Sequence, residues 1–245
     1  MCTIVIDFNP KNEWPVIIGA NRDEMIDRSW VPPSRNWPQK PSIFGGLDLK
    51  KKGSWLSVND DGVIASIANK NHTLGPHKHR RSRGEIVINA LKEKNSTLAS
   101  KVIENINPKL YQDFNLLLAD KNNVYMLENN SKTKNKINKK IILPGVHIIT
   151  SKNINDLKCN RIAKFLPLFQ KAERPQPSHN NWDKWISLLS KKNDEDEGGT
   201  FLNIYRKSGF GTVSSSLIAI NSEGTEIVWL YSNKRPSCNS YIKII

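Results

Sequence analysis

The chain has 245 residues, 38% of them hydrophobic, enough for one large α/β or mixed domain spanning 1–245. Lys and Arg number 37 against 23 Asp and Glu, a formal charge of +14, so an anionic partner is expected. No run of apolar residues is long enough to span a bilayer, the opening residues do not read as a secretory leader, and three widely spaced cysteines form neither a disulfide framework nor a Cys-x-x-Cys zinc site, so the reading is a cytoplasmic protein with reduced thiols.

Residues 2–8 and 15–20 are rich in β-branched side chains and are separated by Asn, Pro and Lys, which predicts an opening hairpin. A turn centred near Lys11 and Asn12 sets Cys2 across from Asn21, close to Arg22, Asp23 and Glu24. Residues 28–41 hold Pro32, Pro33 and Pro38 between Trp30 and Trp37, too many prolines for a helix or a central strand, and are expected as an ordered loop. A second hairpin is predicted over 55–58 and 63–68, across Asn59-Asp60-Asp61-Gly62. Helical spacing of Ile86, Val87, Ala90 and Leu91 predicts a helix over 84–94, with Ser82 and Glu85 as a capping box, and a second helix follows over 97–105.

Short strands are predicted at 114–119, 124–128, 137–143 and 146–150. The stripes Ile162, Phe165, Leu166, Phe169 and Trp182, Trp185, Ile186, Leu189 predict two amphipathic helices, the first starting near Asp156. An acidic loop over 194–199 and a closing hairpin over 212–220 and 227–231 complete the chain. Antiparallel hairpins at both ends with paired helices between them suit stacked, helix-covered sheets better than a doubly wound βαβ fold.

Cys2 is the most informative residue, because removal of Met1 leaves a thiol and a free α-amine on one residue. An α-amine with a pKa of about 8 can take the proton of a thiol whose pKa is about 8.5; a small residue entering a strand is the alternative reading. Four hydrogen-bonding residues, Asn21, Arg22, Asp23 and Glu24, directly follow the apolar strand beside it. Arg22 can lower the thiol pKa and bind an anion, Asp23 can orient the α-amine, and Asn21 can donate to an oxyanion; a surface ion-pair cluster is the alternative. Ser214, Ser215 and Ser216 occupy successive strand positions, which alternate between faces, so at least one is expected to face a pocket unless the strand is a Ser-rich edge.

Other candidates read as structural. Gly45, Gly46 and Gly53 permit close backbone approach but match no phosphate loop and are expected in turns. His72, His77 and His79 lie among Lys and Arg, so they read as solvated, and no metal site is expected. The basic stretches at 50–52, 77–81 and 132–140 lack interleaved aromatics, and nucleic acid is not the expected partner. Cys159 reads as a packing residue and Cys238 as part of a tail loop.

The chain resembles the NRDE family, also called the transport and Golgi organisation protein 2 family. The resemblance rests on Met1-Cys2-Thr3, Ala20-Asn21-Arg22-Asp23-Glu24, Trp30-Val31-Pro32-Pro33, Phe44-Gly45-Gly46-Leu47-Asp48, Gly53-Ser54-Trp55, Ser82-Arg83-Gly84, Phe114-Asn115-Leu116-Leu117 and Gly211-Thr212-Val213-Ser214-Ser215. It implies an α+β fold of the N-terminal nucleophile hydrolase kind, a four-layer αββα sandwich of mainly antiparallel sheets. The Cys2 opening and the 19–23 stretch are similar to cysteine amidohydrolases of the choloylglycine type, which commonly carry an arginine where this chain has Ala20. Family members have been linked to haem trafficking, to acyl-coenzyme A or lipid metabolism and, in eukaryotes, to secretion and Golgi organisation.

Two functions are therefore expected. One is binding or trafficking of an anionic amphipathic ligand, haem or acyl-coenzyme A, in a hydrolase-like pocket lined by Asn21, Arg22, Asp23, Glu24, Ser214 and Ser215. The other is amide hydrolysis by a Cys2 nucleophile, with Arg22, Asp23 and Asn21 completing the catalytic group.

Overall fold

The computed structural model describes residues 2–71, 73, 75, 77–130, 136–193 and 199–245. In chain order the elements are β1 (Thr3–Phe8), β2 (Val16–Met25), β3 (Trp30–Ser34), β4 (Ile43–Asp48), β5 (Leu56–Asn59), β6 (Ile64–Asn69), α1 (Gly84–Ala90), α2 (Ser96–Glu104), β7 (Phe114–Ala119), β8 (Val124–Asn129), β9 (Asn138–Ile141), β10 (Gly145–Ile149), α3 (Asn160–Lys171), α4 (Asp183–Leu189), β11 (Phe210–Ile220), β12 (Ile227–Ser232) and β13 (Ile242–Lys243). They form two compact units, the first from 1–28, 144–222 and 227–245, the second from 29–143 and 223–226.

The first unit holds a six-stranded antiparallel sheet in the order β10-β1-β2-β11-β12-β13. Alternation along each strand sends Val5, Ile17, Leu217, Ala219, Val228 and Leu230 to one face, where they pack with Phe165 and Phe169 of α3 and Trp185 and Leu189 of α4. Gly19 lies on this face because a Cβ there would come within 3.1 Å of the Trp185 ring and Leu189, so its absence lets α4 sit close to β2. Arg174 fastens the opening hairpin, with Nε 2.7 Å from Asp7 Oδ2 and Nη2 2.6 Å from the Trp14 carbonyl.

The second unit holds a seven-stranded antiparallel sheet in the order β3-β4-β5-β6-β7-β8-β9. Ala65, Ile67, Leu116, Leu118, Tyr125 and Leu127 meet Ile86, Val87 and Ala90 of α1 and Ala99 and Ile103 of α2.

Several sequence expectations change here. The proline-rich stretch is not only loop: Trp30–Ser34 is an edge strand whose pairing with β4 shifts register between Val31 and Ser34, at the two prolines that cannot donate to a ladder. Gly45 and Gly46 lie within β4 rather than in a turn; a Cβ on Gly46 would meet the Trp55 ring at 2.3 Å. The helix expected over 84–94 ends at Ala90, and Glu85 binds Arg81 and Tyr111 instead of closing a capping box with Ser82. Helix α3 starts at Asn160 with Cys159 as its cap residue. The acidic stretch 194–198 and His72 lie outside the described residues.

Candidate functional site

Strands β1 and β2 pair from Phe8 opposite Val16 to Thr3 opposite Asn21. Continuing that register by one residue sets Cys2 opposite Arg22, and its Sγ donates a 3.9 Å hydrogen bond to the Asp23 carbonyl. The predicted pairing of Cys2 with Asn21 is therefore off by one residue. In a sheet that displacement changes the face on which every side chain lies.

Thr3 follows the same alternation as Val5, which packs on the helix-covered face, and Asn21 and Asp23 share that face. Both Asn21 amide hydrogens are committed, to the Leu189 carbonyl at 3.0 Å and the Leu202 carbonyl at 2.9 Å, and its Oδ1 is 2.6 Å from Ser215 Oγ. Asn21 thus ties β2 to the end of α4 and to the segment leading into β11. The Asp23 carboxylate takes Arg161 Nη1 at 3.2 Å and Thr212 Oγ1 at 2.7 Å, while the same Arg161 nitrogen donates to Thr3 Oγ1 at 2.7 Å and Arg161 Nε to the Gly199 carbonyl at 3.1 Å.

Cys2 and Arg22 occupy the opposite face. Strand β11 pairs Thr212 with Asp23 and Ser214 with Arg22, and the extra residue, Val213, forms a bulge between them. Without the bulge Thr212 and Ser214 would share a face; with it, Thr212 serves Asp23 on the helix side and Ser214 lies beside Arg22. Ser215 returns to the helix side, 2.6 Å from the Tyr241 hydroxyl. Tyr231 on β12 faces Ser216 across the ladder, on the same face of the sheet as Ser214. Arg22 Nη2 is 3.8 Å from Glu24 Oε2, and the Glu24 carboxylate also lies 3.7 Å from Arg28 Nε.

Burial pushes the Cys2 thiol above its ordinary range; the Asp23 carboxylate adds to that rise and the Arg22 charge opposes it. Burial likewise raises the Tyr231 and Tyr241 phenols, which stay protonated. The face therefore presents a neutral thiol, a guanidinium, and the hydroxyls of Ser214 and Tyr231.

The other sequence candidates lie elsewhere. His77 and His79 are exposed, with ring centroids 6.2 Å apart, and no group of three His, Cys, Asp or Glu suited to a metal occurs among the described residues. Cys159 is half-buried against the α3–α4 core, Cys238 is exposed, and all three cysteines are free thiols. Arg161, Thr3, Tyr231 and Tyr241 were not singled out in the sequence. Arg161 precedes the apolar stripe of α3 by one position, and a lone cation at a stripe edge ordinarily reads as solvated, although here it is 3% exposed.

A cysteine leading into an antiparallel sheet that is backed by two helices defines a fold of the N-terminal nucleophile hydrolase class. Solved structures agree. The Caenorhabditis elegans ortholog of N-acylethanolamine-hydrolyzing acid amidase superposes with a TM-score of 0.59 at 13% identity, covering 90% of this chain and 93% of that one. A mutant conjugated bile acid hydrolase from Clostridium perfringens gives 0.55 at 11% identity, covering 100% and 92%. At these identities the likeness is one of fold.

The chain belongs to the transport and Golgi organisation 2 family, whose model matches residues 1–230. The human transport and Golgi organization protein 2 homolog is 28% identical over 261 residues, covering 91% of this chain and 90% of that protein. The Bos taurus homolog is 33% identical over 132 residues, and that match spans 49% of this chain and 45% of the bovine protein. No helix among the described residues is long and apolar enough to cross a membrane.

Proposed function

We propose that the protein binds an anionic amphipathic ligand, of the haem or acyl-coenzyme A kind, on the sheet face that carries Cys2, Arg22 and Ser214. The observation that supports this most is the division of the 21–24 motif between two faces. Asn21 and Asp23 hold β2 on the helix side, whereas Arg22, 5% exposed and near Glu24, lies on the other face with the thiol and the Ser214 and Tyr231 hydroxyls. A guanidinium with neighbouring hydroxyls suits a carboxylate or phosphate through charge-assisted hydrogen bonds.

Just beyond the motif, exposed Met25, Ile26 and Tyr205 offer apolar surface, with Arg206 over the Phe210 ring and Arg235 over the Tyr205 ring. Phe210 pairs with Met25, so the apolar and cationic groups lie at the same end of the sheet, the combination an amphipathic anion needs. Titration with palmitoyl-coenzyme A and with haemin tests the reading: saturable binding of either, displaced by the other, is expected. Absence of saturable binding by both below about 100 μM contradicts it.

A second reading is favoured by the position of Cys2 and by the names of the fold's relatives, an acid amidase and a bile acid hydrolase. With Met1 removed, the Cys2 α-amine takes the thiol proton, sulfur bonds to the amide carbonyl, and the proton passes to the leaving amine. Water then hydrolyses the thioester. Because burial keeps the thiol neutral, this route depends on that amine. Intact mass and labelling by an acylating probe test it: retained Met1, or a Cys2 that the probe never labels, removes the nucleophile.

A further inference from the structure

At the end of β11 that pairs with the 21–24 motif, three chain segments stop side by side. Met25 pairs with Phe210, and Ile26 N donates to the Gly209 carbonyl at 2.8 Å. On the other flank of β11, residues 204–206 run beside it, with Thr212 N donating to the Ile204 carbonyl and Arg206 N to the Phe210 carbonyl, both at 2.9 Å. The Arg235 guanidinium carbon lies 5.6 Å over the centre of the Tyr205 ring. The large apolar side chains at this end are exposed, Met25 by 40%, Ile26 by 54% and Tyr205 by 56%, and Lys207 and Lys234 stand exposed among them. Over 24–28, 205–210 and 233–235 the sequence holds five Lys and Arg against Glu24 and Asp27, and Glu24 is already drawn between Arg22 and Arg28.

One exposed apolar residue needs no explanation, but three that meet at one end of a sheet with cations around them do. A protein partner fits this mixture poorly, because lysine carries a strongly hydrated ammonium and is depleted from protein interfaces. The surface of an anionic bilayer fits both halves of it. Apolar tips and a tyrosine ring suit the layer between headgroups and acyl chains, and Lys and Arg stems lie along apolar surface while their heads reach lipid phosphates. Arg235 stacked on Tyr205 sets a cation and an aromatic ring at the same depth.

We propose that this end of the first unit docks on an anionic lipid bilayer, with Met25, Ile26 and Tyr205 entering the headgroup layer and Lys207, Lys234 and Arg235 pairing with lipid phosphates. The surface shares apolar side chains with the ligand reading above but does not rest on it. Its readout is a bilayer without free coenzyme A or haem, so vesicle binding can fail while palmitoyl-coenzyme A still binds at Arg22, and the reverse.

Co-sedimentation of the full chain with vesicles of phosphatidylcholine, alone or with about 30% phosphatidylglycerol, at about 0.1 M salt tests the proposal. Binding at least about fivefold stronger to the anionic vesicles is expected. I26S/Y205S keeps every charge and K207S/K234S keeps every apolar group. Each is expected to weaken vesicle binding at least about fivefold with an unchanged melting transition, since exposed positions contribute little to folding. The control K171S/K184S removes the same charge from exposed positions on α3 and α4 and is expected to stay within about twofold of wild type. Attraction spread over the whole +14 chain would instead lower the control as far as K207S/K234S and leave I26S/Y205S unchanged, and that result overturns the proposal. So does failure to bind anionic vesicles, or displacement by soluble glycerol phosphate at constant ionic strength, which would mean that a free phosphate is recognised. Self-association of wild type that is lost in I26S/Y205S, without vesicle binding, would make the surface an interface between copies and overturns it as well.

Discussion

Arg161 on α3 and Asp23 on β2 form a buried ion pair, Nη1 to Oδ2 at 3.2 Å, with side chains 4% and 0% exposed. The same guanidinium nitrogen binds Thr3. One helical residue therefore fastens the two strand positions that flank Cys2 and Arg22, and the candidate face is supported from behind.

Removing one partner leaves the other charge buried. Arg161→Ala and Asp23→Ala are each expected to lower stability by about 3–5 kcal/mol, while replacing both by apolar residues of similar volume, R161M/D23L, is expected to lose less than either single change. Urea unfolding of the three variants checks this, and a double variant no better than the singles would show that the pair contributes more than it loses in desolvation.

Asn21 joins two carbonyls and the Ser215 hydroxyl in one buried node. Asn21→Ala strands these groups and is expected to destabilise by about 3 kcal/mol, with each orphaned group contributing roughly 1–3 kcal/mol less any relaxation. A neutral effect on the melting transition would mean that the node is not a structural tie.

The Cys2 thiol is raised by burial first and by Asp23 second. A thiol whose pKa rises on folding contributes stability that is fully present below the unfolded-state thiol pKa and is lost as pH climbs through the higher folded value. The stability difference between wild type and Cys2→Ala should therefore change as pH rises above about 8.5, in the direction that disfavours wild type. Alkylation should follow the same order, with Cys2 several-fold slower than exposed Cys238 at pH 8. Faster labelling of Cys2 would contradict the burial argument.

Gly53 passes against the backbone at the start of α1, and a Cβ there would fall 2.4 Å from the Gly84 carbonyl carbon and 2.8 Å from the Glu85 nitrogen. Backbone cannot swing aside as a long side chain does, so Gly53→Ala is expected to cost about 1–3 kcal/mol or more. Denaturant unfolding with an unchanged midpoint would mean that the loop before β5 yields.

Much of the fold was legible because its signals are local. Turn residues and β-branched runs marked the hairpins, and the stripes of Trp185 and Leu189 and of Phe165 and Phe169 marked α4 and α3. The site was legible as a set of residues but not as an arrangement. A one-residue difference in the β1–β2 register replaces Asn21 by Arg22 opposite Cys2, and the Val213 bulge decides which hydroxyl serves which face. Neither has a clear sequence signature: the first is set by how the chain turns between Phe8 and Val16, where one residue more or less in the turn moves the register, and the second by the pairing of β2 with β11, far along the chain. Strand β4 was hidden because Gly45 and Gly46 erase the alternation; their missing side chains make room for Ser57 and Trp55. Arg161 was hidden because its partners lie 138 and 158 residues away.

The most direct test of the central claim, that Arg22 on the Cys2 face holds the anionic part of a ligand, is calorimetric titration of palmitoyl-coenzyme A into wild type, Arg22→Lys and Arg22→Ala. Saturable binding that weakens about tenfold or more in Arg22→Ala and is partly kept in Arg22→Lys, with all three proteins folded by their melting transitions, is the predicted result. Equal affinity in wild type and Arg22→Ala would contradict the claim and place any anion site elsewhere on the chain.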